Sequence, residues 1–167
     1  MKLLLTLWLR LIRSWKSPLL YWLFRKTIYR GKLPEKWYQV KYYNKYQFSN
    51  MLAQYDYKPD FLWGILDFSP EEKNFFFLKR NHNRDCDNWS RMWFWWAEDK
   101  GYPVWEVCGI KGWKIWTAHK LTIARVNEEY EVYNYTFRGS YSTFKQAVES
   151  TGYSVWAISN KGCYNGK

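Results

Sequence analysis

Apolar and polar positions change period along the chain. In MKLLLTLWLRLIRSWK the apolar residues recur at helical spacing: Thr6, Arg10, Arg13 and Ser17 lie along one stripe, with Leu4, Leu5, Trp8, Leu11, Ile12 and Trp15 around the rest. Pro18 has no amide hydrogen to donate and stops this helix, and a second apolar piece, LLYWLF at 19–24, leads into Arg25 and Lys26. Residues 33–66 mix Tyr with polar side chains and read as helix and loop, punctuated by Pro34 and Pro59. Ser69, Pro70 and Glu72 then supply a cap, a first-turn proline and the reciprocal acid of a capping box, which predicts a short helix through Phe75, Phe76 and Phe77.

After the NHNRD loop the pattern sharpens. CDNWSRMWFWWAEDK places Trp89, Trp93 and Trp96 on one helical face at i, i+4 and i+7, and Gly101 and Pro103 end the helix. Runs of strand character follow at Val104 to Cys108, Lys114 to Val126, Tyr130 to Phe137 and Tyr153 to Ser159. Alternation in the long run puts Thr117, His119, Leu121 and Ile123 on one face, and Tyr130, Val132 and Asn134 share a face in the next. Asn127 and Glu128 are the tight turn that makes these two runs an antiparallel hairpin. Thr143 with Gln146 opens a short helix that Gly152 closes. A helix followed by an antiparallel sheet is an α+β pattern.

A length of 167 residues suits one domain, here 31–167, preceded by a basic helical segment at 1–30. Aromatic residues make up 23% of the chain, which excludes disorder, and no apolar run approaches the roughly 18 residues that cross a bilayer. The expectation is a soluble protein that at most rests on a surface. The charge of +11 is uneven: seven of the 26 basic side chains and none of the acids lie in residues 1–30, leaving 19 against 15 elsewhere. This segment either lies on lipid, with Trp and Leu in the interface and cations on the headgroups, or docks on the domain. Because the positive charge sits at one end instead of among the aromatic runs, a nucleic-acid partner is disfavoured. Cys86, Cys108 and Cys163 cannot all pair, and no cleavage site follows an apolar leader, so the reading is a reduced, cytoplasmic protein. Two histidines, His82 and His119, without metal-ligand spacing argue against zinc, and no cofactor is expected. Small size and heavy Trp and Tyr use are compatible with a phage or mobile-element protein acting inside a bacterial host.

The candidate chemistry centres on Cys86. It follows Asp85, a good N-cap, and opens the Trp-rich helix, where outward backbone N–H groups and the helix dipole favour a thiolate and could hold an oxyanion. A thiolate needs a base held in the right tautomer by a third group. His119 lies mid-strand among Ile115, Leu121 and Ile123, and Asn134 has the matching parity on the next strand, so the two become direct or diagonal neighbours. His82 falls in a polar loop, Cys108 alternates as a buried small apolar residue, and Cys163 lies in a Gly-rich tail.

DFSPEEKNFFFLKRNHNRDCDNWSRMWFWWAEDKGYPVWEV resembles the nucleophile region of transglutaminase-like cysteine proteinases, especially the bacterial kind. The likeness runs on through TAHKLTIARVNEEYEVYNY, to about residue 137. It implies a papain/transglutaminase-like core, with Cys86 as nucleophile, His119 as general base and Asn134 as the orienting group. The implied activity is hydrolysis or acyl transfer at a protein amide or isopeptide bond of a protein substrate. Arg84, Asn88 and Asn134 stand where the family has Gly, an acid and Asp, so a binding module with a degenerate site on the same fold is the rival expectation. Asp85 and Asp87 flank the cysteine, but two carboxylates fall short of the ~6 oxygens calcium takes, so they read as caps that complement the dipole.

Overall fold

A computed structural model describes residues 2–12, 39–40, 42–56, 86–112, 114 and 118–162. Its elements are α1 (Lys2–Ile12), α2 (Lys45–Leu52), α3 (Cys86–Asp99), β1 (Val104–Ile110), β2 (His119–Val126), β3 (Glu129–Asn134), β4 (Thr136–Tyr141), α4 (Phe144–Glu149) and β5 (Val155–Lys161). The five strands form one antiparallel sheet in the order β4-β3-β2-β1-β5, so the molecule is α+β as its pattern predicts. The segments at 13–38 and 57–85, including the short helix expected after Ser69, lie outside the described residues.

Both faces of the sheet are covered. On one face, Trp89, Trp93 and Trp96 of α3 pack with Phe48 and Leu52 of α2 and with Val104, Ala124 and Tyr133 of the sheet. The three indoles are each at most 3% exposed, as their helical spacing requires. On the other face, Val107, Leu121, Ile123 and Val132 meet Ala147 and Val148 of α4. A third cluster, Cys108, Ile110, Val155 and Ala157, is met by Leu5 of α1 and by Ala118. Cys108 is thus the buried apolar residue its alternation predicts.

Local chemistry sets the ends of the elements. Asn44 caps α2 by accepting from the amides of Tyr46 and Gln47, while the Gln47 side chain accepts from the Asn44 amide. α3 ends where Gly101 adopts a φ of 75°, a left-handed conformation open to glycine, and Tyr102 N–H donates to the Ala97 carbonyl. Thr143 caps α4 by accepting from Gln146 N–H at 3.2 Å. Gln146 does not close a capping box: its side chain accepts from Ser142 Oγ at 2.7 Å.

Asn127 and Glu128, with φ of 48° and 70°, form the turn between β2 and β3, and its twist matches that of the strands it joins. The register runs from Val126 opposite Glu129 to Thr122 opposite Tyr133. One expectation needs correction. Tyr130 to Phe137 is two strands, because Tyr135 adopts a φ of 61° and reverses the chain, pairing Asn134 with Thr136.

Candidate functional site

Cys86 is the first residue of α3 and is 7% exposed. Its thiol donates to Asp87 Oδ1 at 3.5 Å. The other oxygen of that carboxylate pairs with Lys120 Nζ at 3.0 Å, both side chains being 1% exposed. Asp87 is the acid in the first turn of α3, where it complements the helix dipole as expected, and its ion pair with Lys120 also ties the start of α3 to the start of β2. Asp85 lies outside the described residues.

His119 opens β2, half-buried, and its Nε2 is 2.7 Å from Asn134 Oδ1. This contact follows from the turn. The last registered pair of the hairpin is Thr122 with Tyr133, so continuing one step sets Leu121 opposite Asn134 and leaves His119 on the diagonal. Asn134 is held in turn by Arg138, whose Nε donates to its carbonyl at 3.1 Å across the reversal at Tyr135. With Oδ1 accepting, Nε2 carries the proton and Nδ1 is the nitrogen left with a lone pair.

Three aromatic side chains connect this pair to α3. The His119 ring lies 5.5 Å from the Tyr135 ring, and that ring packs edge-on against Trp89 at 5.9 Å. The Tyr135 carbonyl accepts from Trp93 Nε1 at 3.0 Å. Alternation gives Lys120 and Thr122 to the α3 face, where Thr122 Oγ1 donates to the Ser90 carbonyl at 2.6 Å, and gives Leu121 and Ile123 to the α4 face. His119 has the second parity, yet at the end of the strand its ring meets Tyr135 and through it the first turn of α3.

Tyr153 closes the arrangement from the other side. Its hydroxyl donates to the His119 carbonyl at 3.2 Å, and its ring lies so close over Gly109, the β1 partner of His119, that a methyl group there would fall 2.2 Å from it. Burial first, then the charges that Cys108, Cys86 and Tyr135 would carry when ionised, push this phenol well above its ordinary range. Tyr153 therefore stays neutral and donates to the strand carrying His119.

His119 and Asn134 are thus in direct contact, and the Asp87–Lys120 ion pair sets the start of α3, with Cys86, beside the start of β2, the strand that His119 opens. His82 and Cys163 lie outside the described residues. Among the described residues no group of three or more His, Cys, Asp or Glu side chains is arranged to hold a metal ion. Lys120, Tyr135, Tyr153 and Gly109 escaped the sequence reading. Only Lys120 left a trace there, as a cation interrupting an apolar strand. Compared with known proteins, the chain matches no family model, no curated protein and no solved structure.

Proposed function

We propose that the protein is a cysteine-dependent hydrolase or acyl transferase on a papain/transglutaminase-like core, acting on an amide or isopeptide bond of a protein substrate. The observation that carries this reading is the 2.7 Å contact from His119 Nε2 to Asn134 Oδ1, because it fixes the imidazole tautomer that a cysteine nucleophile needs. Nδ1 takes the Cys86 proton, and the thiolate attacks the substrate carbonyl. The oxyanion is held at the positive end of the α3 dipole, by backbone amides of its first turn. Nδ1 then gives its proton to the departing amine, leaving a thioester that water or a second amine resolves.

Alkylation with iodoacetamide at pH 6 tests the thiolate. Cys86 reacts at least about tenfold faster than Cys163, and His119→Ala brings it down to the rate of an ordinary thiol. Equal rates for the two cysteines in the unaltered chain overturn the reading.

A second reading, a protein-binding module on the same fold without the catalysis, draws on the Asp87 carboxylate beside the Cys86 thiol and on the neutral Asn134, both of which weaken a thiolate. It expects Cys86→Ser to leave biological activity intact. Loss of activity in that variant, with its fold preserved, decides for the enzyme.

A further inference from the structure

The described side chains of the first helix divide between the domain and solvent. Leu5 packs on the cluster of Cys108, Ile110, Val155 and Ala157, whereas Leu3, Leu4 and Leu7 stand 72%, 69% and 44% exposed. Positions 3, 4 and 7 form a continuous ridge on a helix, away from Leu5. Single exposed leucines are ordinary, but three on one ridge of an 11-residue helix make a patch that attachment to the sheet does not require.

Charge indicates what covers the ridge. Residues 1–30 contain Lys2, Arg10, Arg13, Lys16, Arg25, Lys26 and Arg30 and neither Asp nor Glu. A second copy docking through this helix would bring like charge against like charge, since α1 carries Lys2 and Arg10 and no acid. An anionic bilayer surface offers what both features need, an acyl boundary for the leucines and phosphates for the cations. Among the described residues no helix is long and apolar enough to cross a membrane. We infer that α1 lays the ridge of Leu3, Leu4 and Leu7 into an anionic lipid surface while Leu5 keeps the helix joined to the β1–β5 end of the sheet. The domain is then carried on the membrane by a helix that is also part of its own packing.

Flotation of the whole chain with vesicles tests this. Phosphatidylcholine vesicles containing about 30% phosphatidylglycerol bind the protein at ~0.1 M salt at least about tenfold more tightly than phosphatidylcholine alone. L3S/L4S/L7S lowers binding to the anionic vesicles at least about tenfold, with little change in thermal stability because the three positions are exposed. Failure to bind anionic vesicles overturns the inference, as does equal binding to both kinds. Undiminished binding of the folded triple variant also overturns it, since the attraction would then be charge alone, of the kind a nucleic acid exerts. A dimer that the triple variant dissolves would make a second copy the occupant. If the triple variant does not fold, Leu3→Ser alone, at the most exposed of the three positions, takes its place, and undiminished binding of that variant overturns the inference.

Discussion

Asn134 is the residue at which charge and geometry separate most cleanly. Its oxygen orients the imidazole without stabilising a positive ring, so Asn134→Asp adds the missing charge while keeping the acceptor. The imidazolium becomes easier to form, and on the proposed mechanism Cys86 alkylates several-fold faster at pH 6, whereas Asn134→Ala slows it. No change in either variant would mean that the His119–Asn134 contact does not act on the thiol. Gly109 is a steric case. Gly109→Ala drives a methyl group into the Tyr153 ring and costs about 1–3 kcal/mol in urea denaturation, and Tyr153→Leu in the same chain recovers part of the loss. His119 and Asn134 could be paired from sequence because the Asn127–Glu128 turn fixes the register, and register fixes diagonals. Tyr153 and Gly109 could not, since their contact depends on β5 returning beside β1, which no local pattern encodes.

At the level of elements, the interface between α3 and the sheet is more polar than an amphipathic reading anticipates. Asp87, Ser90 and Arg91, at i, i+3 and i+4, face Lys120, Thr122 and Glu106, and Arg91 Nη2 lies 2.7 Å from Glu106 Oε2 with both side chains at most 1% exposed. Charges on a helix are ordinarily read as its solvated face. Here the tryptophans occupy the neighbouring face against α2 and β3, and the charged stripe is the one laid on β1 and β2. Buried ion pairs are costly to break and cheap to replace whole. Lys120→Met therefore destabilises by about 3–5 kcal/mol by stranding the Asp87 carboxylate, and D87L/K120M loses less than the single change. A double-mutant cycle in urea measures the coupling, and additive losses would show that the pair does not hold α3 in place. The tryptophan face, the Thr143 cap and the β2–β3 hairpin were legible because each repeats at a local period or matches a local cap or turn. β4 was not, because Tyr135 is a residue that rarely adopts left-handed backbone and so hides the reversal.

Across the whole molecule, one buried phenol joins three layers of packing and gives stability a pH dependence. Tyr133 is fully buried, stacked on Trp93 at 4.3 Å, and donates to Glu131, whose other oxygen lies 2.5 Å from Lys45 of α2. Burial first, then the hydrogen bond to Glu131 and its negative charge, raise the Tyr133 ionisation far above the ordinary tyrosine range. The folded chain thus keeps a proton that the unfolded chain releases near pH 10. The stability this contributes is complete below pH 10 and falls as pH rises beyond it, with a slope approaching about 1.4 kcal/mol per pH unit. Tyr133→Phe removes the titrating group. It costs stability at pH 8, where the bond to Glu131 is lost, yet between pH 10 and 11 it spares the protein about 1 kcal/mol of the decline. Urea denaturation of both chains at pH 8, 10 and 11 separates the two effects. Parallel declines above pH 10 would mean that Tyr133 ionises as readily in the folded protein as in water, and that the junction of α2, α3 and the sheet is open to solvent.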